Sequence, residues 1–301
     1  MEQQKRKLKI DVAGSITSLQ AFLKEYSAKK KLYKIFFRGK SFDFESFRDY
    51  SPEDDSLNID WIASARYDKL LTKQYKEEEK LTVLFLIDTS ENMIAGSGEK
   101  LKCEYAAELA LSLAYIILNR DNRVGFILFN DKVNTFFPPM RGNRCFYSFL
   151  DSLSDADNYH GAANINDALD FILSLPEYRA ASLILISDFA KFNEVTRHKL
   201  ISVSFKFETT AFIIKDILDK QLPNIAGEFA LEDSSSGEQI IVDLKLAKKS
   251  YGEYAKKQEE YLEKSFASNK IDFLELSTDK PFSDKVAVFI KEKVKKPVIW
   301  L

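Results

Sequence analysis

The sequence predicts an α/β protein built on a doubly wound, mostly parallel sheet. Three apolar runs of strand length, TVLFLID at 82–88, SLILISD at 182–188 and TAFII at 210–214, have the look of strands buried on both faces. Segments with helical spacing lie between them, and strand alternating with helix is the pattern of a parallel sheet flanked by helices. Composition agrees. With 301 residues, 45% hydrophobic and 30% charged, and only 10 Gly and 7 Pro, the chain can bury a sizeable core, which excludes collagen-like and largely disordered architectures.

Residues 1–32 read as a basic helical leader, with Ile16, Leu19, Phe22 and Leu23 on one face of a helix over 15–31. Residues 33–80 follow as strand and loops bracing the main domain: YKIFF at 33–37 reads as a strand, and the acidic SPEDD at 51–55 interrupts regular structure. In this brace Trp61 and Tyr50 cover apolar surface while arginines pair with nearby acids. Charge is uneven: residues 1–40 carry 11 Lys/Arg against 3 Asp/Glu, net +8, whereas 41–60 carry 1 against 7, net −6.

The main domain is expected over 81–301. Its first strand leads into a helix over 100–118 that is apolar on nearly every side, as for a helix pressed between sheet and neighbours. RVGFILF at 123–129 and KVNTFF at 132–137 flank Asn130 and Asp131, a tight-hairpin signal that makes the second run an antiparallel edge strand. Helical spacing returns at Ile165, Ala168, Leu169, Ile172 and Leu175. Past the strands at 182 and 210, GEFALED and EQIIVDL flank SSSG at 234–237, which predicts a β-hairpin inserted at 222–250. Tyr251, Tyr254, Ala255, Tyr261 and Leu262 mark a helix face, IDFLEL at 271–276 a strand, and Phe282, Val286, Phe289, Ile290 and Val294 a closing helix. The apolar PVIWL at 297–301 is expected to pack onto the sheet edge.

Several functional classes fall away. Two cysteines, Cys103 and Cys145, make no disulfide framework, and two histidines, His160 and His198, complete no zinc spacing. The basic N-terminus lacks a signal-peptide core, and ELALSLAYIIL at 108–118 is too short to span a membrane, so a cytoplasmic protein with no membrane span is expected. A formal charge of −2 does not announce a nucleic-acid binder.

Ligands of open α/β sheets gather beyond the carboxyl ends of the strands, and two of the runs end in aspartate there. Asp88 opens DTSENM and Asp188 closes SLILISD; if their strands are neighbours, two carboxylates and the Ser90 hydroxyl converge, a set of hard oxygens suited to magnesium. A magnesium-dependent hydrolase or phosphoryl-transfer enzyme using Asp88 and Asp188 is therefore the competing alternative. Against it, a phosphatase of the haloacid dehalogenase type needs a second Asp where Ser90 stands. GSGEK at 96–100 is no P-loop, and no GxSxG or GxGxxG follows a strand.

Three motifs, DTSEN, GAANINDAL and ISDF, resemble the von Willebrand factor A fold. Upstream, Arg48, Asp49, Tyr50, Asp54, Asp55, Ile59, Asp60, Trp61, Ala65 and Arg66 resemble the signature of the bacterial family called domain of unknown function fifty-eight, and the likeness extends over residues 33–295. The resemblance implies a degenerate metal-ion-dependent adhesion site that takes Mg2+, or Mn2+ or Ca2+, through Asp88, Ser90 and Asp188, with one position left for a partner's carboxylate. Asn92 stands where the pattern has a second Ser and joins the metal ligands through its amide oxygen; Ala163, which cannot coordinate, stands where it has Thr, with Asn164 beside it as a substitute. Glu91, Asn164, Arg48 and Arg66 are then the expected partner-facing residues. The resemblance further implies a non-enzymatic protein-binding module, an adaptor or partner of a MoxR-type AAA+ ATPase that recognises an acidic group.

Overall fold

The computed structural model describes residues 7–24, 44–51, 54, 59–75, 81–175, 178, 181–223, 227–232 and 239–295. These residues fall into two compact units, 7–24 with 81–295, and 44–75. The expected strand at 33–37, the hairpin tip at 234–237 and the tail at 297–301 lie outside the described residues.

Helix α1 (Val12–Lys24) opens the larger unit. It starts a turn before the sequence suggests because Asp11 Oδ1 accepts the Gly14 N–H at 3.0 Å, filling the capping role that an oxygen side chain plays at a helix start. The leader is tied to the following domain by two carboxylates. Glu104 Oε1 accepts the Lys9 N–H at 2.9 Å, and Glu108 accepts the Asp11 N–H and the Ser15 hydroxyl at 2.9 and 3.0 Å. Leu19 is fully buried, so α1 belongs to the core of this unit.

The smaller unit pairs strands β1 (Phe44–Asp49) and β2 (Leu71–Tyr75) antiparallel, with helix α2 (Trp61–Tyr67) between them. Asp60 caps α2 by accepting the Ile62 and Ala63 N–H groups, both at 3.0 Å. Replacing it, Asp60→Ala, is expected to cost about 1 kcal/mol of local stability, read as faster amide exchange across residues 61–67. Arg48 makes a two-pronged ion pair with Asp54, at 2.8 and 2.6 Å, inside the same unit, as the sequence suggested for its arginines. Trp61, at the first position of α2, is 67% exposed, more open than a cover for apolar surface is expected to be.

The larger unit continues with β3 (Thr82–Asp88), α3 (Lys102–Leu118), β4 (Arg123–Phe129), β5 (Val133–Met140), α4 (Asn143–Ser154), α5 (Ile165–Leu173), β6 (Ser182–Ser187), α6 (Glu194–Lys206), β7 (Glu208–Lys215) and the short α7 (Ile217–Lys220). It ends with β8 (Glu228–Glu232), β9 (Gln239–Asp243), α8 (Leu244–Ser268), β10 (Asp272–Ser277) and α9 (Ser283–Lys295). Six strands form one sheet in the order β10-β7-β6-β3-β4-β5, parallel except for β5, which runs antiparallel at the edge. The edge strand and the inserted antiparallel hairpin β8–β9 are both where the sequence placed them.

Alternation along β3 explains its unbroken apolar run. Leu84 and Leu86 point into one core layer with Leu169, Leu185, Ile213 and Phe266, while Phe85 faces the other side and meets Phe149 of α4 at 5.4 Å between ring centroids. Phe149 also stacks on Phe126 of β4 at 4.4 Å. Both faces are therefore covered by helices, which is what a parallel sheet requires. Gly125 is needed where β5 bulges against β4: a Cβ there would lie 2.9 Å from Leu84 Cδ2, the Phe137 carbonyl and Pro139 Cδ.

One helix of this unit carries little sequence signal: α6 buries only Thr196, Leu200 and Val203, so polar residues dilute its apolar periodicity. α4 buries Cys145, Phe149 and Leu153, spaced four apart on one helix face. α6 begins at Asn193, whose Oδ1 accepts the Thr196 N–H at 3.1 Å. Asn193→Ala is expected to remove about 1 kcal/mol, seen as a lower urea midpoint with an unchanged slope.

Candidate functional site

From β3 the chain runs outward to β4 and β5, while β6, β7 and β10 lie on the other side, so strand order reverses between β3 and β6. Ligands of open α/β sheets settle at such a switch point, beyond the carboxyl ends. Ile87 pairs with Ile186 in the parallel register, which sets Asp88 beside Ser187 and leaves Asp188 at the next step. The expected convergence of Asp88, Ser90 and Asp188 is thus produced by register, and all three are buried.

Asp88 Oδ1 accepts the Ser90 N–H at 2.9 Å, and Oδ2 accepts the Ser187 hydroxyl at 2.7 Å. Burial, then the negative charge of Asp188, push the Asp88 carboxyl up to about 6, against the pull of its Ser187 and Ser90 donors. The Ser90 hydroxyl is buried with no hydrogen-bond partner. Asp188 behaves oppositely: burial would raise its carboxyl, but the Lys102 ammonium, 2.8 Å from Oδ2, holds it below its ordinary value. Its Oδ1 accepts the Ala190 N–H at 3.0 Å, and the Lys215 ammonium donates to its carbonyl at 2.6 Å. Phe189 takes a left-handed backbone, φ 52°, which is costly for a bulky residue. Its ring packs edge-on to Phe266 at 5.3 Å, and that packing offsets the strain while the turn aims Asp188.

Lys102 is the group that sequence reasoning missed. It is the first residue of α3 and only 3% exposed, and its ammonium lies 2.8 Å from Asp188 and 3.2 Å from Asp219 on α7. Burial would lower its pKa, but the two carboxylates raise it above its ordinary value. Asp219 is 30% exposed, the open side of the cluster. Next to it Asp216 is held by the Ser97 N–H and hydroxyl at 3.0 and 2.6 Å and by the Thr278 hydroxyl at 2.9 Å, tying together the loops after β3, β7 and β10. Asp216 and Asp219 follow the run TAFIIK, so the rule that singled out Asp88 and Asp188 points to them as well. No comparable signal marks Lys102.

The other expected site residues have diverse placements. Glu91 and Asn92 sit half-buried in a 3-10 turn, Glu91–Ile94, whose Glu91 N–H donates to the Gly161 carbonyl at 2.9 Å. Asn164 caps α5: its Oδ1 accepts the Asp167 N–H at 3.4 Å and its amide donates to the Asp131 carbonyl at 3.2 Å. Arg48 and Arg66 belong to the smaller unit, Arg48 in β1 and Arg66 in the last turn of α2. Neither cysteine offers a reactive thiolate, since burial pushes Cys103 to about 12 and Cys145 to about 11.

Asp88, Ser90, Asn92 and Asp188 together offer fewer side-chain ligands than a magnesium shell holds, so water or a partner would have to complete it. Magnesium takes six oxygens at about 2.1 Å in near-octahedral geometry. The orphan Ser90 hydroxyl fits such a role, but Ala163 brings no side-chain oxygen, Asn164 is spent on its helix cap, and Asp188 Oδ2 already holds Lys102. Among the described residues no group of three His, Cys, Asp or Glu side chains is arranged to hold a metal ion.

A six-stranded sheet with one antiparallel edge, helices on both faces and an Asp-x-Ser turn at the switch point defines a protein of the von Willebrand factor A type. The chain belongs to the family described as protein of unknown function DUF58, whose family profile matches residues 46–261. No curated protein matches it. Among solved structures it is similar to the conserved hypothetical protein BatB from Bacteroides thetaiotaomicron, at 15% identity and TM-score 0.43, over 72% of this chain and 100% of that one. An aerotolerance-related membrane protein from Bacteroides fragilis is similar at 16% identity and TM-score 0.45, over 71% and 98%. The SpRpn10 VWA domain is similar at 15% identity and TM-score 0.37, over 69% and 94%. Among the described residues no helix is long and apolar enough to cross a membrane.

Proposed function

We propose that this chain is a protein-interaction module, acting in the cytoplasm without catalysis of its own, whose strand-end face receives an acidic group of a protein partner. The observation that carries this reading is the switch point itself, where the loops after β3, β7 and β10 are tied together through Asp216 and leave apolar side chains exposed beside it. Around it Glu91 and Asn92 supply polar groups, and Ile94, Ile217 and Leu218 stand exposed on loops that the Ser97–Asp216 bonds join. Apolar side chains around a polar anchor are a workable protein interface. The candidate partner is a MoxR-type AAA+ ATPase, as the family resemblance implies, with the chain serving as its adaptor.

The test is binding of the purified full chain to a MoxR-type ATPase from the same organism, followed by interferometry. Saturable binding that falls at least tenfold in Leu218→Asp is the expected result. Absence of binding to the ATPase, or binding indifferent to changes at Glu91, Ile217 and Leu218, would remove this reading. A screen with generic phosphatase and nuclease substrates addresses the enzymatic alternative, which predicts turnover lost in Asp88→Asn.

A further inference from the structure

We propose that the Lys102 ammonium is the resident cation of the strand-end site and that it excludes a divalent metal. The inference rests on four observations. Asp88 and Asp188 are both buried at adjacent strand ends, an arrangement that calls for positive charge. A second ammonium, that of Lys215, donates to the Asp188 carbonyl at 2.6 Å and adds positive charge at the same strand end. A lysine that is 3% exposed reaches this point from the start of α3 and touches Asp188 at 2.8 Å and Asp219 at 3.2 Å. Finally, Ala163 brings no side-chain oxygen to the site.

Charge arithmetic supports exclusion. Lys102 offsets Asp188, while both Asp88 oxygens are already engaged, Oδ1 by the Ser90 N–H and Oδ2 by the Ser187 hydroxyl. An ion bound by Asp188 would sit about 2.1 Å from a carboxylate oxygen and hence within about 5 Å of the ammonium. Two cations cannot share so small a dry volume without strong repulsion. A covalently tethered ammonium also needs no loading from solution, so the site is permanently charged. Where the proposed function holds, partner binding is indifferent to chelators.

Calorimetric titration of MgCl2 and MnCl2 into the full-length wild-type chain, Lys102→Ser and Asp88→Asn tests the inference. Wild type is expected to show no saturable binding at millimolar ion and no rise in melting temperature. Lys102→Ser, relieved of the ammonium, is expected to bind Mn2+ at least tenfold more tightly than wild type and to melt higher when it is present. Saturable binding of either ion by wild type, abolished in Asp88→Asn, would overturn the proposal. So would a folded Lys102→Ser that ignores Mn2+. If Lys102→Ser does not fold, the wild-type titration still decides, with Lys102→Arg expected to match it. A wild type blind to metal that also fails to bind the ATPase leaves this inference standing and removes only the interaction reading.

Discussion

Lys102→Met is expected to lower the stability of the larger unit by about 3 kcal/mol, because buried Asp188 loses its direct ion pair and keeps only the Lys215 ammonium near its carbonyl. Lys102 and Asp188 are 3% and 2% exposed, so solvent cannot replace the lost partner. For a unit of this size the loss corresponds to a fall of about 10 °C in Tm. Chemical unfolding at pH 7 measures it directly. The double variant Lys102→Met with Asp188→Asn should recover a large part of the loss, because neutral residues of similar volume leave no charge to strand. A single-variant loss below about 1 kcal/mol would mean that water reaches Asp188 and that the cluster is not the sealed pair described above.

The second large effect is a pH dependence set by Asp88. Its carboxyl is raised from an ordinary 3.8 to about 6, so between these values the folded chain holds a proton that the unfolded chain has released. Stability contributed by this group is therefore complete below pH 3.8 and falls as pH rises toward 6, by about 3 kcal/mol in all. Asp188, held below its ordinary value, acts in the other direction: it stabilises above the unfolded pKa and loses that contribution as pH falls through its folded one. The two groups thus act in separate pH windows. Asp88→Asn should flatten the decline between pH 4 and 6 and raise stability at pH 8, measured by urea unfolding across that range. A decline of unchanged size in Asp88→Asn would assign it to another group.

Much of the site was legible because β-strands announce themselves locally. TVLFLID and SLILISD are apolar on both faces, so their ends, and the acids that follow them, can be read directly. The same rule applied to TAFIIK would have reached Asp216 and Asp219. Helices α2 and α6 were harder, since each buries only a few residues and is fixed by packing and its cap more than by periodicity. Trp61 shows the converse error, an aromatic residue read as a cover that stands exposed.

By itself, then, the sequence determined the alternating α/β order, the antiparallel edge, the inserted hairpin and the two acids at strand ends, because short-range apolar patterning specifies strands; that β3 and β6 are neighbours, so that Asp88 and Asp188 meet, came from the sheet order. Only the tertiary structure decided what neutralises those acids. Lys102 meets Asp188 across 86 residues of chain and Asp219 across 117, and whether an ammonium, a metal or water fills the space between carboxylates depends on distances that no local pattern encodes.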